Sequence, residues 1–145
     1  IAAAGVAAAV SFGITWYNQA SRLDDEIAQN QSQLDRINTI LGAPDAQTVH
    51  GTGGTLTVVM SHSANGMVIT AHNLQAPTPA ESLQAWSVTT NRQKIPLGLL
   101  NSSSGTILVP DLAQAADISY VAITLEPRGG ATTPSSHVVA TANVT

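Results

Sequence analysis

The chain has 145 residues, of which 43% are hydrophobic and 10% charged, and its formal net charge is −4. A chain of this length forms one modest domain with room for a tail or anchor. The small acidic charge argues against a nucleic-acid partner, which would need a clustered basic face. The absence of cysteine excludes thiol catalysis, thiolate metal sites and disulfide bonds.

An uncharged apolar run occupies residues 1–17 and ends in Trp16 and Tyr17, whose rings favour a bilayer interface. A helix of that length rises about 25 Å, close to the roughly 30 Å hydrocarbon core of a bilayer. We therefore predict a transmembrane helix over residues 1–17. We expect it to be truncated at its start, because the chain opens inside the run and without methionine. The core of a signal peptide and a buried helix are the alternatives.

The charges that follow this run indicate its orientation. Arg22 is followed by three acidic residues at 24–26, whereas cytoplasmic flanks are rich in lysine and arginine. The pattern predicts a single-pass protein of the cell membrane whose remaining residues lie outside the cell.

Residues 18–41 contain neither proline nor glycine, and their apolar residues repeat at heptad spacing. We predict an amphipathic juxtamembrane stalk helix over residues 18–43, ended by Gly42 and Pro44. Its stripe fits a short parallel coiled coil in which Asn30 fixes the register. It fits equally a single helix that lays the stripe on the β-domain or on another subunit. Together with a row of small residues in the apolar run, the candidates for helix–helix contact in a homodimer or oligomer are Gly5, Ala9, Gly13, Leu23, Ile27, Asn30, Leu34, Ile37 and Leu41.

Residues 44–145 are rich in Thr, Val, Ser and Gly, and their hydrophobic period is two. This predicts a mainly β fold, an antiparallel β-sandwich of seven or eight strands preceded by the long N-terminal transmembrane and stalk helix. The predicted strands are 48–51, 55–61, 66–73, 83–89, 94–101, 106–110, 118–126 and 136–144. The predicted core consists of Leu56, Val58, Met60, Met67, Ile69, Trp86, Val88, Ile107, Val109, Val121, Ile123 and Leu125.

Four motifs follow one another in this domain: Leu-Gln-Ala-Trp at 83–86, Ile-Pro-Leu-Gly-Leu-Leu at 95–100, Val-Pro-Asp-Leu at 109–112, and Val-Ala-Ile-Thr-Leu-Glu-Pro-Arg-Gly-Gly at 121–130 with Pro134. In that order they resemble the extracytoplasmic domain of the anti-sigma-K factor family of actinobacteria. That family carries an aromatic-x-x-Trp strand, a Pro-x-Gly strand and the pattern V-x-V-T-x-E-P-x-G-G-x-x-x-P near its C-terminus. The resemblance covers residues 48–145, with Leu83 where the family usually has tyrosine. The signature residues, to which we assign structural roles, are Trp86, Gly98, Glu126, Pro127, Gly129, Gly130 and Pro134.

The resemblance implies a single-pass anti-sigma factor whose cytoplasmic helical domain holds an alternative sigma factor away from RNA polymerase. The outer β-domain would govern when a site-1 type or intramembrane protease cuts the protein and releases the sigma factor. The cytoplasmic domain would precede Ile1, so this stretch of chain is not expected to bind the sigma factor itself.

Glu126 is the most distinctive single residue, because a carboxylate beside the amides of a Pro-x-Gly-Gly loop can accept their hydrogen bonds and hold the loop closed. We assign it this structural role rather than ligand binding or catalysis. Trp86 is assigned to the core, since a large aromatic side chain at an alternating strand position is usually buried.

Other reactive residue types form no site in the sequence. The Ser61-His62-Ser63 run lacks a nucleophile elbow, and Asp111 belongs to no triad motif. The sequence therefore predicts no enzyme, no cofactor and no metal site, and metal-ligand spacing is lacking for His50, His62, His72 and His137.

Two other classes of protein stay open. A pilin-like filament subunit, or an accessory subunit of a membrane complex, also joins an apolar N-terminal helix to a polar helix and a β-domain. A secreted hydrolase or lectin-like binder has only the sandwich in its favour. The natural sequence before Ile1 separates the regulator from the filament subunit. A cytoplasmic helical domain of about a hundred residues indicates the regulator, and a short leader with a processing site indicates the filament subunit.

Overall fold

A computed structural model describes residues 25–115 and 117–145, and the side chains of all of these except residues 54, 114 and 115. The predicted transmembrane helix, with Gly5, Ala9 and Gly13, lies outside the described residues. So does the start of the predicted stalk, with Leu23. Within the described residues, no helix has both the length and the apolar character needed to cross a membrane.

Helix α1 covers residues 25–41 and ends before Gly42, where the sequence predicts its end. A boundary between two units of the chain falls inside this helix, after Asp35. The stripe residues that the structure describes are exposed at Ile27 (65%), Asn30, Leu34 (54%) and Leu41 (47%) and half-buried at Ile37. The coiled coil along this stripe stays a prediction.

The last residues of α1 belong to the second unit, Arg36–Thr145, which also contains the strands. Ile40 is fully buried, and its side chain lies against Gly66. The Arg36 guanidinium donates hydrogen bonds of 3.1 Å to the backbone carbonyls of Asn65 and Pro110. In this unit the helix is therefore attached through Arg36 and Ile40, whereas Leu41 of the stripe stays largely exposed.

Eight strands are present in the described residues, and each overlaps a strand that the sequence predicts. Their bounds are β1 Gln47–His50, β2 Leu56–Ser61, β3 Gly66–Ala71, β4 Glu81–Thr89, β5 Lys94–Leu100, β6 Gly105–Val109, β7 Ile118–Pro127 and β8 Val138–Asn143. They form two antiparallel four-stranded sheets, sheet 1 in the order β1-β2-β3-β6 and sheet 2 in the order β5-β4-β7-β8. The mainly β, antiparallel, eight-stranded fold is confirmed.

The β2–β3 hairpin shows how local sequence sets the register. Ser61 pairs with Gly66 across the turn, and Asn65 adopts a φ of 48°, a left-handed conformation that asparagine tolerates better than most residues. Every second residue of β2 and β3 then points inward. The Asn-Gly pair therefore positions the turn that the sequence predicts.

The core lies between the two sheets. It includes Leu56, Val58, Met67, Ile69, Ile107 and Val109 from sheet 1 and Leu83, Ala85, Val121, Ile123, Ala140 and Ala142 from sheet 2. Trp86 and Val88 are buried, as the sequence predicts, but they do not belong to the cluster between the sheets. Because side chains alternate along a strand, and Leu83 and Ala85 take the inward positions of β4, Trp86 and Val88 are buried on its opposite face.

Candidate functional site

Strand β4 is buried along nearly its whole length, although antiparallel sheets often leave one face to water. Its inward side chains face sheet 1. Its outward side chains, Gln84 and Trp86 among them, are also buried. They lie on the same face as the connection between β7 and β8, residues 128–137, which we call the strap. The strap therefore covers the outer face of sheet 2, so side chains on that face are buried as well.

Two consecutive glycines turn the chain at the start of the strap. Gly129 and Gly130 have φ angles of 91° and 88°, a left-handed backbone that glycine adopts without strain. A Cβ on Gly130 would stand 2.9 Å from Gln84 Oε1 and 3.0 Å from Leu99 Cδ2, whereas a Cβ on Gly129 would have nothing within 4 Å. Gly130 is thus constrained by both its backbone and its neighbours, and Gly129 by its backbone alone.

A chain of hydrogen bonds beneath the strap ends on the buried carboxylate of Glu126. Trp86 Nε1 donates to Thr124 Oγ1 at 2.9 Å, and Thr124 Oγ1 donates to Glu126 Oε1 at 2.5 Å. The same carboxylate oxygen accepts the backbone N–H of Ser135 at 2.7 Å. Hydrogen bonds to a charged acceptor are about twice as strong as neutral ones. This carboxylate therefore fastens the far end of the strap to β7, and through Thr124 to β4.

Ser135 is held at a second point as well. Its hydroxyl donates to the carbonyl of Leu125 at 2.8 Å and accepts the backbone N–H of His137 at 3.2 Å. The Leu125 N–H in turn donates to the carbonyl of His137 at 3.0 Å. These bonds lead the strap directly into the pairing of β7 with β8.

Gln84 fastens the middle of the strap. Its amide Nε2 donates to the carbonyl of Ala131 at 3.1 Å, and its Oε1 accepts the Ala131 N–H at 2.8 Å. A side-chain amide that pairs both ways with one backbone residue imitates a rung of a β-ladder. Arg128 lies at the start of the strap. Its backbone N–H donates to the carbonyl of Ala80 at 2.8 Å, and its guanidinium donates to the carbonyl of Pro79 at 3.1 Å.

The family of the chain follows from a comparison with known protein families. The family model described as "Anti-sigma-K factor rskA, C-terminal" matches residues 1–141. The chain belongs to the RskA C-terminal family.

Curated relatives agree with this assignment. A Streptomyces griseus protein described as "Uncharacterized protein in phr 5'region" is 35% identical over 149 residues, which cover 97% of this chain and 61% of that protein. The anti-sigma-K factors RskA of Mycolicibacterium vanbaalenii and Mycobacterium ulcerans are 32% and 34% identical over 108 residues, 70% of this chain and 44% of each relative. The chain thus spans roughly half the length of these relatives. No solved structure gives a significant match.

Most of the residues predicted as a family signature lie at the strap or on the outer face of sheet 2. Gly98 lies apart in β5, where a Cβ would stand 2.8 Å from Ile107 Cγ2 of sheet 1. The absence of a side chain at Gly98 therefore allows the two sheets to approach each other closely. Trp86 and Glu126 lie on the face beneath the strap, Pro127 directly precedes the strap, and Gly129, Gly130 and Pro134 lie within it.

Several residues of this site were not predicted from the sequence, namely Ser82, Gln84, Thr124 and Ser135. Ser82 is fully buried, donates to Asn101 Oδ1 at 3.0 Å and accepts the Gly129 N–H at 3.4 Å. A signal was present: polar residues recur with period two along β4 and β7, next to a Gly-Gly turn. Polar residues on one face of a central strand indicate a cover that pairs with them.

The Ser61-His62-Ser63 run lies at the β2–β3 turn. The Ser61 and Ser63 hydroxyls donate to Asp45 Oδ1 at 2.6 and 2.5 Å, and the Ser63 N–H donates to Asp45 Oδ2 at 2.8 Å. These hydrogen bonds, that from Ser61 first, hold the pKa of the Asp45 carboxyl well below its usual value. The run therefore fixes a turn to the segment that follows α1.

The groups beneath the strap are donors and acceptors already paired with one another. Within the described parts of the chain, no group of three or more histidine, aspartate or glutamate side chains is placed to hold a metal ion. His50 contacts Thr57 at 3.3 Å, and His137 contacts Gln75 at 3.0 Å. What this RskA site can do chemically is fasten a segment of chain and, when the pairs break, release it.

Proposed function

We propose that this chain is the outer regulatory part of a membrane-anchored anti-sigma factor. In this proposal residues 1–17 cross the cell membrane, residues 18–43 form the stalk, and residues 44–145 lie outside the cell. The β-domain then controls the release of an alternative sigma factor held by a cytoplasmic domain that precedes Ile1. The match of residues 1–141 to the RskA C-terminal family carries the proposal, and the two relatives described as anti-sigma-K factors support it.

The strap supplies a physical basis for regulation without catalysis. Its attachments at Gln84 and Glu126 are hydrogen bonds, so they can break together while the core between the sheets stays intact. A strap that is fastened in one state and free in the other would present different surfaces to a site-1 type or intramembrane protease. Release of the sigma factor would follow the cleavage.

Co-purification tests the sigma-factor part of this proposal. The natural protein, including the residues before Ile1, is expected to retain a sigma factor when purified from its own organism, and the 145-residue chain alone is not. Loss of the sigma factor from the natural protein, or equal capture by the short chain, would overturn the proposal.

The orientation can be tested separately, because the chain contains no cysteine. Gln93→Cys places one thiol in the exposed turn between β4 and β5. A membrane-impermeant maleimide added to intact cells is expected to label this thiol fully, with no gain in labelling after lysis. Labelling only after lysis would place the β-domain inside the cell.

A filament or accessory subunit is the second candidate. The observation in its favour is the exposure of Ile27 and Leu34 on α1, since helices of such subunits pack on one another through apolar stripes. A short leader with a processing site before Ile1, in place of a cytoplasmic domain, would favour this function over the first.

A further inference from the structure

A small depression opens on the outer face of sheet 2, beside the strap. Its volume is about 130 Å³. Tyr120, Val138 and Pro134 are partly or largely exposed around it, and Ala122 and Trp86 lie at its base. Trp86 itself is inaccessible to solvent, so an occupant would rest on the smaller side chains above the indole.

The size of the depression limits what it can hold. An apolar cavity of about 150 Å³ accommodates one benzene molecule. Sites for cofactors and metabolites are larger, roughly 300–1,000 Å³. The volume therefore fits one aliphatic side chain presented by a polypeptide better than a free small molecule.

A positive charge at the rim of the depression indicates which residue accompanies the apolar side chain of the ligand. Among the described residues that line the depression, Lys94 is the one charged side chain, and it is exposed. A carboxylate next to the inserted apolar group would meet this ammonium, whereas a second cation would be repelled. The complementary ligand is a leucine-like side chain with an acidic neighbour.

We propose that this depression docks one apolar side chain of an extended segment of a protein partner, with an adjacent carboxylate facing Lys94. Pro134 and Ser135 of the strap line the same depression, as does Val138 at the start of β8. An occupant therefore touches the strap at the point where Glu126 holds it. The proposal stands on this geometry and is independent of the sigma-factor function.

The direct test uses the full 145-residue chain in a mild non-ionic detergent. Trp16→Phe leaves Trp86 as the sole indole, because the chain has two tryptophans. The probe is N-acetyl-leucyl-aspartyl amide, followed by NMR at the Ala122 and Val138 methyl groups and the Trp86 indole N–H. We expect saturable shifts at these three positions with a Kd of about 1 mM. Replacing leucine by alanine in the probe removes about three buried carbon groups and is expected to weaken binding at least tenfold.

Two charge variants complete the test. Lys94→Gln is expected to weaken binding of the aspartyl probe about two- to fivefold, the range for an exposed ion pair. It is also expected to abolish the preference for this probe over N-acetyl-leucyl-lysyl amide. Arg92→Gln is the matched control, since Arg92 is an exposed cation two residues before Lys94, in the turn between β4 and β5, and does not line the depression.

In Ala122→Val the larger side chain should fill the depression and remove binding of the probe. If Ala122→Val fails to fold, Lys94→Gln still tests the proposal. Absent or non-saturable shifts, equal binding of the leucyl and alanyl probes, or an equal effect of Arg92→Gln would each overturn the proposal. No sigma factor is present in this experiment, so its failure and the failure of the sigma-factor proposal are distinguishable.

Discussion

The two faces of sheet 2 are sealed in different ways. The inner face is closed by apolar side chains such as Leu83 and Ile123 that pack against sheet 1. The outer face lies beneath the strap, which is held by hydrogen bonds to Gln84 and Glu126. An apolar seal accepts many side chains of suitable volume, whereas a hydrogen-bonded one needs particular atoms at particular positions. The outer seal therefore depends on individual side chains more than the inner seal does.

The two seals also differ in what breaks them. Removing part of the inner seal opens a cavity in the core that joins the two sheets, so the whole domain loses stability. Removing a bond of the outer seal frees the strap first. Single substitutions on the two faces therefore separate a global loss of stability from local release of the strap.

Leu83→Ala tests the inner seal. Leu83 is fully buried, so we expect the free energy of unfolding to fall by about 2–5 kcal/mol. The matched control is Leu99→Ala on the outer face, where 40% of the side chain is exposed, with an expected loss below about 1.5 kcal/mol. Urea denaturation followed by far-UV circular dichroism measures both. Equal losses would mean that the two faces contribute alike.

Glu126→Gln tests the outer seal. The neutral amide keeps the shape but loses the charge that strengthens the bonds from Thr124 and Ser135. We expect a loss of about 1.5–3 kcal/mol and faster tryptic cleavage after Arg128 in the strap. Glu81→Gln is the control, because the partly exposed Glu81 carboxylate also accepts a backbone N–H, from Thr78 at 3.0 Å. Unchanged melting and proteolysis of Glu126→Gln would dismiss the fastening role of this carboxylate.

The two glycines of the strap test whether the strap packs tightly against sheet 2. An alanine in the left-handed region costs about 1–2 kcal/mol, and this cost applies to both Gly129→Ala and Gly130→Ala. In Gly130→Ala the new Cβ would also press against Gln84 and Leu99. We therefore expect a larger loss of melting temperature and faster tryptic cleavage for Gly130→Ala than for Gly129→Ala. Identical behaviour of the two variants would show that the strap does not press on the sheet.

Two buried serines lie on opposite faces of β4, so replacing each with alanine compares the two faces directly. Ser87 Oγ is buried on the inner side without a hydrogen-bond partner in the described part of the chain, so Ser87→Ala should raise the free energy of unfolding by about 1 kcal/mol. Ser82 is equally buried but bonded to Asn101 and Gly129, and Ser82→Ala should lower it by about 1 kcal/mol. Differential scanning calorimetry resolves the opposite signs. Two shifts of the same sign would contradict this account.

We expect the smallest change in stability from substitution of Asp45, an exposed carboxylate that accepts hydrogen bonds as Glu126 does. Its hydrogen bonds depress the folded-state pKa, so its contribution to stability is complete above the unfolded-state pKa of about 3.9. The contribution is lost as the pH falls below that value towards the folded-state pKa. At pH 7 the melting temperature of Asp45→Asn should therefore lie below that of the parent chain, and the difference should narrow progressively as the pH falls below about 4. A constant difference across this range would show that the Asp45 charge is irrelevant.

The strand pattern of this fold could be predicted from the sequence, because apolar residues alternate clearly in β2, β3 and β7 and Asn65-Gly66 marks a tight turn. The position of Trp86 could not. Leu83 and Trp86 are three residues apart, so only one of them can face inward. Residue size favours Trp86, and Leu83 can take the inward position because the strap covers the opposite face.

The candidate site was predictable in part. Glu126 and the glycine pair draw attention as a carboxylate beside a flexible turn, but the path of the strap depends on contacts between residues distant in sequence. Gln84 meets Ala131 and Glu126 meets Ser135 only because the turn at Gly129 folds the chain back across sheet 2. Local propensity carries no information on such contacts.

Backbone amide hydrogen exchange tests the fastened strap most directly. We expect the Ala131 and Ser135 N–H groups to be protected in the parent chain, since they donate to Gln84 and Glu126. Glu126→Gln should accelerate exchange mainly at Ser135, and Gln84→Ala mainly at Ala131. Exchange of both amides at the rate of an unstructured peptide in the parent chain would contradict the account.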